Sequence, residues 1–102
     1  MIGWNYTENG RVAMNKEEFQ DIVAQVKATG LEYKEYPNNY LINVTDVDGV
    51  VQSFYSSTGT AIFRDGNDKY KQKRHSEYNM TVERFLDLCN GKEDILEAFF
   101  SD

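Results

Sequence analysis

An amphipathic helix followed at once by a change of hydrophobic period constrains this sequence more than any other feature. Apolar residues recur at helical spacing over residues 16–29, and from Leu31 onward they alternate with polar ones. A period that falls from about 3.6 to two places a helix against a sheet, because each element must bury one apolar face. This stretch alone therefore predicts an α+β domain.

A capping box encodes the start of this helix. Asn15 precedes the apolar stripe and Glu18 follows it by three residues, so each side chain can accept a hydrogen bond from the other residue's backbone N–H. Gly30 provides a left-handed stop. We expect the helix to run from about residue 16 to residue 29.

Short segments with the alternating pattern of strands follow the helix. The strands are expected at residues 31–36, 40–44, 50–55 and 60–64. Asp48-Gly49 and Ser57-Thr58-Gly59 are turn sequences, and strands joined by tight turns form an antiparallel meander. Residues 69–79 are polar and weakly periodic, and they fit either a solvent-facing strand or an extended loop.

The last third of the chain predicts two more helices. Thr81 is the expected N-cap of the second helix, which ends before Gly91. A short third helix is expected over residues 92–100. The residues that it should turn inward are Ile95, Leu96 and Phe99.

The predicted fold is a single α+β domain over residues 1–102. An Asn-Gly pair at residues 9–10, between short apolar stretches, also predicts an N-terminal hairpin over residues 4–14. We expect an antiparallel sheet of four to six strands, with the hairpin first, then the helix, then the meander, and two to three helices packed on one face. Apolar residues on the other face would form a binding surface or pair with a second copy, which leaves a homo-oligomer open.

Catalytic chemistry has little support in this sequence. His75 is the only histidine and Cys89 the only cysteine, so a general base or a thiol nucleophile would have to use them. Cys89 lies on the apolar stripe of the second helix, where a thiol is usually buried, and His75 lies in a basic run, where solvation is usual. Neither zinc-binding spacing nor a glycine-rich phosphate fingerprint is present. We therefore expect no enzyme, no catalytic residues, no cofactor and no metal.

Charge and cysteine content predict a soluble cytoplasmic protein. The formal net charge of −6 opposes general affinity for nucleic acid or an anionic membrane. A lone cysteine fits a reducing compartment, and no apolar stretch has the length of a membrane span. The first residues also lack the basic and then apolar pattern of a secretion signal.

Charge is distributed unevenly and defines two candidate surfaces. In the basic segment, residues 64–75, cationic side chains interleave with an aromatic one, which suits phosphate contact and base stacking. Its expected ligand-binding residues are Arg64, Lys69, Tyr70, Lys71, Lys73, Arg74 and His75. The acidic C-terminal end, residues 77–102, suits a basic protein surface, and its expected partner-binding residues are Glu93, Asp94, Glu97 and Phe100. Ordinary solubility would also explain both clusters.

The sequence resembles two kinds of known protein. Residues 54–63, FYSSTGTAIF, resemble a strand-turn-strand stretch of TBP-like sheet domains, including the N-terminal domain of some bacterial ribonucleases H, and we carry no function over from it. In size, acidity and its many Asn, Tyr and Lys residues, the chain is similar to small accessory proteins of phages and mobile elements, many of which inhibit host proteins. The leading hypothesis is a non-enzymatic interaction protein that modulates a partner protein. The alternative is binding of single-stranded nucleic acid or a nucleotide through the basic segment and sheet aromatics.

Overall fold

The structure is a computed structural model and describes residues 14–101. The elements in chain order are α1 (Lys16–Ala28), β1 (Tyr33–Tyr36), a 3₁₀ turn (Pro37–Asn39), β2 (Leu41–Thr45), β3 (Val51–Tyr55), β4 (Thr60–Arg64), β5 (Arg74–Glu77), α2 (Val82–Cys89) and a C-terminal turn (Leu96–Phe100). The hairpin predicted over residues 4–14 lies outside the described residues, apart from Met14. Among residues 14–101, no helix combines the length and apolar composition that crossing a membrane requires.

The capping box predicted for α1 is present. Asn15 Oδ1 accepts a hydrogen bond from the Glu18 backbone N–H at 2.8 Å, and Glu18 Oε1 accepts one from the Asn15 backbone N–H at 3.1 Å. The buried stripe of the helix consists of Phe19, Val23 and Val26. The predicted range differs from the observed one by a single residue, because Thr29 is the C-cap rather than the last helical residue.

The strands form one antiparallel sheet in the order β1-β2-β3-β4-β5. Each strand pairs with its neighbour in sequence, as in a meander. The register aligns Ile42 with Phe54 and Phe63 with His75. The ambiguous stretch at residues 69–79 contains both predicted possibilities, a loop up to residue 73 and then the edge strand β5. The α+β fold class and the antiparallel meander are thus confirmed.

The helical elements cover one face of the sheet, which we call the inner face. Its buried apolar side chains are those of Ile42, Val44, Phe54, Ala61 and Phe63. α1 lies against β1, while α2 lies over the centre, where the rings of Phe85 and Phe54 are 5.0 Å apart. The C-terminal turn lies over β5, where the Phe99 and His75 rings are 4.6 Å apart. All three helical elements therefore pack on one face, as predicted.

The outer face of the sheet is polar at its centre. Ser53 Oγ donates to Asn43 Oδ1 at 2.7 Å, and the Arg64 guanidinium donates to Ser53 Oγ at 3.0 Å and to the Val51 carbonyl at 3.1 Å. Burial lowers the pKa of Arg64, and the charge of Arg74 on the neighbouring strand lowers it further. The apolar open face expected from the sequence is therefore interrupted by a hydrogen-bonded polar row.

Backbone contacts close the sheet at the β3–β4 turn, and we call residues 56–59 and 79–80 the closed end. Gly59 has a φ of +69°, and its carbonyl accepts a hydrogen bond from the Met80 backbone N–H at 2.8 Å. A Cβ at Gly59 would lie 3.0 Å from the Met80 carbonyl oxygen. Only glycine fits both this backbone conformation and this approach.

A third helical element is present within the predicted residues 92–100, but it is shorter than predicted and one of its expected inward residues faces solvent. The structure has only a five-residue π-helical turn, Leu96–Phe100. Ile95 is buried and Phe99 is partly buried, as predicted, but Leu96 is 51% exposed. In a π-helical turn the backbone hydrogen bonds join residues that are five apart instead of four. Its side chains therefore project in other directions than those of an α-helix, and Leu96 faces outward.

Candidate functional site

The end of the sheet opposite the closed end gathers three segments. We define this open end as the β2–β3 turn (residues 46–50), the β4–β5 loop (residues 65–73) and the segment after α2 (residues 90–96). The Val47 backbone N–H donates to the Cys89 carbonyl at 3.0 Å, which joins the turn to the end of α2. Asn67 Nδ2 donates to the Gly49 carbonyl at 2.7 Å, which joins the loop to the same turn. The three segments are therefore neighbours.

A buried polar network fixes the β2–β3 turn. Asp46 Oδ1 accepts hydrogen bonds from the backbone N–H groups of Asp48 and Val50, both at 2.9 Å. Its Oδ2 accepts one from Gln52 Nε2 at 3.0 Å. The Arg64 backbone orients the Gln52 amide, because Oε1 accepts from the Arg64 N–H at 2.6 Å and Nε2 donates to the Arg64 carbonyl at 3.0 Å. The turn is therefore held in one conformation.

Beside this turn lies a hollow of about 330 Å³, which we call the acidic groove. Its lining consists of Val47, Asp48, Leu88, Gly91, Glu93, Asp94, Ile95 and Leu96. Val47 is 55% exposed and Leu96 is 51% exposed, so two apolar side chains of the groove face solvent. Gly91 has a φ of +81°, and a Cβ there would lie 3.1 Å from Val47 Cγ2, so a side chain at this position would crowd the groove.

All charged residues in the groove lining are acidic. Glu93 Oε2 lies 3.4 Å from Arg84 Nε in a solvent-exposed ion pair. Asp94 Oδ1 accepts hydrogen bonds from the first backbone N–H groups of the C-terminal turn, at 3.0 and 3.4 Å. No ion pair within residues 14–101 involves Asp48. Because an exposed ion pair compensates charge only weakly, the lining of the groove carries a net negative charge.

The β4–β5 loop, which we call the basic loop (residues 65–73), is held by its own hydrogen bonds. The Asp68 carbonyl accepts from the Gln72 N–H at 2.7 Å, and Gln72 Nε2 donates to the Gly66 carbonyl at 2.9 Å. Tyr70 is 93% exposed. The exposed cationic residues around it are Lys69, Lys71 and Lys73. The loop also contains Asp65 and Asp68, whose carboxylates accept hydrogen bonds from the backbone N–H groups of Lys73 and Tyr70. An ordered loop with three lysines and two aspartates therefore presents an exposed aromatic ring.

The predicted ligand-binding residues do not share one surface. Four of them lie on the basic loop. Arg64 and Arg74 are register partners on the outer face of the sheet. His75 follows on the inner face, where its ring stacks on that of Phe99 and its Nε2 lies 2.9 Å from Glu77 Oε1. His75 is thus partly buried against the C-terminal turn, rather than solvated as expected.

The predicted partner-binding residues are also divided. Glu93 and Asp94 line the acidic groove, and Glu97 is exposed next to them on the C-terminal turn. Phe100 is partly buried, and its ring lies edge-on to the His75 ring with 6.5 Å between centroids. Phe100 therefore packs the C-terminal turn against the sheet and is not the exposed aromatic anchor expected from the sequence. The exposed apolar side chains of this region are those of Val47 and Leu96 in the groove.

The aromatic residues considered for base stacking lie in different parts of the structure and differ in exposure. Phe63 is fully buried on the inner face, where its ring lies 4.8 Å from the Phe99 ring. Tyr55 is partly buried on the outer face, and Tyr70 lies at the basic loop. The structure does not assemble these rings into one stacking platform.

Among residues 14–101 we find neither a candidate metal cluster nor an exposed thiol. Residues 14–101 hold no group of three or more His, Cys, Asp and Glu side chains that could bind a metal ion. Cys89 is buried, and burial raises the pKa of its thiol, with a further contribution from the nearby Asp46 carboxylate. A thiol in this state is a weak nucleophile, because only the thiolate attacks.

Sequence reasoning missed the two exposed apolar residues of the groove. A signal existed for Val47, since it is an apolar residue inside the turn sequence Asp46-Val47-Asp48-Gly49, where burial is not expected. Leu96 gave no such signal, because α-helical spacing places it on the inward side.

The comparisons with known proteins indicate no function for this chain. No family model, curated protein or solved structure matches the chain. The acidic groove and the basic loop are the two surfaces from which a function can be argued.

Proposed function

We propose that this chain is a non-enzymatic interaction protein, and that its acidic groove binds a basic segment of a partner protein. The observation that carries the proposal is the pairing of Val47 and Leu96, each about half exposed, in a hollow whose charged lining is entirely acidic. An accessory protein that inhibits a host protein would use a groove in this way. The origin in a phage or mobile element stays a prediction.

The groove offers two kinds of interaction to such a segment. Its exposed apolar side chains gain free energy when a partner's apolar side chain removes them from water, at about 25 cal/mol for each Å² buried. Its carboxylates attract lysine or arginine during the encounter and exclude acidic sequences. The partner segment should therefore carry an apolar residue flanked by cationic ones.

The rigidity of the β2–β3 turn supports this proposal. Because Asp46 and Gln52 fix the turn, Val47 is already in place before a partner binds. A preformed surface loses little conformational entropy on association, which favours affinity for its size.

A selection from a library of short random peptides tests the proposal. We expect the enriched sequences to combine one large apolar residue with lysine or arginine, and Leu96→Lys to weaken their binding by at least about tenfold. Tyr78→Ser is the matched control, because Tyr78 is 68% exposed and does not line the groove. Enrichment of acidic peptides, or equal binding by Leu96→Lys, would contradict the proposal.

The contribution of charge is measured with a second pair of variants. Asp48→Asn combined with Glu93→Gln should weaken peptide binding about three- to tenfold at low salt, and less at high salt. Glu17→Gln combined with Asp21→Asn on α1 removes the same charge from another exposed surface. Equal effects of the two double variants would show that net charge, rather than the groove, attracts the peptide.

A second candidate function is binding of single-stranded nucleic acid at the basic loop. The observation that favours it is the 93% exposure of Tyr70 among lysines, because an exposed ring can stack on a base while lysines contact phosphates. Fluorescence anisotropy of a labelled oligothymidine at low salt should then detect binding that Tyr70→Ala weakens about tenfold. No binding at low salt would remove this candidate.

A further inference from the structure

The chain carries a structural complement to its own acidic groove. The groove combines exposed apolar residues with carboxylates, and the basic loop combines an exposed aromatic ring with three lysines, against two aspartates that bond to the loop's own backbone. The loop therefore has the chemistry expected of the groove's partner, namely a large apolar side chain flanked by positive charge.

This loop does not fill the groove of its own chain. Tyr70 is 93% exposed, and the groove residues Val47 and Leu96 are about half exposed. The hydrogen bond from Asn67 to the Gly49 carbonyl nevertheless makes the loop and the β2–β3 turn neighbours at the open end. Both complementary features therefore belong to one continuous end of the molecule.

Two complementary features on one patch satisfy the requirement of a twofold dimer. In such a dimer the same patch of both copies meets, so that a contact from residue i to residue j is repeated from j to i. With the loop and the groove at the same end, an end-to-end pair of copies makes the loop-in-groove contact twice. If the two features lay at opposite ends, the same contact would instead build an open chain of molecules.

We propose that two copies of this chain associate through their open ends, with Tyr70 of each copy inserted between Val47 and Leu96 of the other. The lysines on both sides of Tyr70 then lie against Asp48, Glu93 and Asp94. The inference rests on the proposed function, because it uses the acidic groove as a docking site and names a second copy as its occupant. Self-association then competes with binding of a basic partner, since both fill the same groove.

Sedimentation of the full chain at several protein concentrations tests the association directly. We expect a monomer–dimer equilibrium whose dissociation constant rises by at least about tenfold between roughly 50 mM and 500 mM NaCl, because the contacts between charges are at an exposed rim. Tyr70→Ser and Leu96→Lys should each raise the dissociation constant by about tenfold or more. Tyr78→Ser should leave it unchanged. Circular dichroism of each variant checks that its fold is retained.

Mixing two defective variants separates a loop-in-groove dimer from any other dimer. Tyr70→Ser retains an intact groove and Leu96→Lys retains an intact loop, so their mixture regains one of the two contacts. We expect the mixture to form heterodimers more strongly than either variant forms homodimers. A dimer that both variants leave intact, or a mixture no stronger than its components, would overturn the inference.

The outcome also distinguishes this inference from the proposed function. A chain that is monomeric at every concentration and low salt, but whose groove still binds basic peptides in a Leu96-dependent way, would overturn self-association and leave the proposed function standing. A chain that neither dimerises nor binds basic peptides would overturn both.

Discussion

The two ends of the sheet hold their connecting segments in different ways. At the closed end the backbone itself is in contact, since Gly59 and Met80 share a hydrogen bond of 2.8 Å with no room for a Cβ between them. At the open end a single backbone hydrogen bond, from the Val47 N–H to the Cys89 carbonyl, joins the β2–β3 turn to α2, whereas the basic loop reaches this turn through the Asn67 side chain. The same end has two half-exposed apolar residues in its groove and an exposed tyrosine on its loop.

This difference indicates how one small fold separates stability from binding. The close backbone approach at Gly59 leaves no space for a side chain and restricts the residue that can be placed there. At the open end the buried Asp46 network holds the shape of the β2–β3 turn, so the apolar side chain of Val47 can remain exposed on it. We therefore expect substitutions at the closed end to affect folding, and substitutions on the rim of the open end to affect binding.

The largest effect is expected for Gly59→Ala at the closed end. The added Cβ meets the Met80 carbonyl oxygen, and the backbone has a positive φ, so the free energy of unfolding should fall by about 2–4 kcal/mol. Gly49→Ala has a positive φ but open space and should lose about 1 kcal/mol. Gly66→Ala has neither constraint and should change stability by less than about 0.5 kcal/mol. Urea unfolding measures all three, and equal losses would contradict the role of the Met80 contact.

The network beneath the open end gives the next largest effect. Asp46→Asn keeps one acceptor oxygen but directs an amide NH₂ toward Gln52 Nε2, which is already a donor and cannot rotate, because both ends of the Gln52 amide bind Arg64. Two donors then face each other in a buried site, so the free energy of unfolding should fall by about 1–3 kcal/mol. Asp48→Asn, on the exposed side of the same turn, should change it by less than about 0.5 kcal/mol. Similar losses in the two variants would show that the turn does not depend on the buried network.

Packing of the C-terminal turn is expected to matter less, because it is only partly buried. Phe99 stacks on Phe63 and His75, with ring centroids at 4.8 and 4.6 Å. Phe99→Ala should lower the free energy of unfolding by about 1–2 kcal/mol, less than for a fully buried phenylalanine. Peptide binding at the groove should also weaken, since Leu96 belongs to the same turn. Retained binding with lower stability would show that the groove is formed without this stack.

The sequence predicts the parts of this molecule in which local signals and packing agree. The capping box at Asn15, the turn at Asp48-Gly49 and the β4 strand at residues 60–64 each combine turn or cap chemistry with the correct apolar period, and the structure has them at nearly the predicted bounds. The sequence also assigns Cys89 correctly to the core, because the apolar stripe of α2 is regular.

The candidate site is less predictable because it depends on departures from those periods. Leu96 faces outward only because the C-terminal turn is π-helical, and its spacing in the sequence fits an α-helix equally well. His75 lies in a basic run of the sequence, and only the structure shows that its ring packs on Phe99 of the C-terminal turn instead of joining the basic loop. Whether an apolar residue is exposed depends on the tertiary structure, which the spacing of residues in the sequence does not specify.

The smallest effect concerns the buried thiol that underlies the open end. Burial raises the pKa of Cys89 in the folded state, whereas an unfolded thiol loses its proton above a pH of roughly 8.5. The unfolded chain therefore binds fewer protons than the folded one at high pH, and the free energy of unfolding falls as the pH rises. For this group alone the loss between pH 7 and pH 9 should be about 0.8 kcal/mol. Cys89→Ala provides the control, because it removes this titration and leaves all others, so its unfolding free energy should depend less on pH over that range. An identical pH dependence in the two proteins would show that the thiol titrates normally, and that water reaches the interior of the open end as well as its rim.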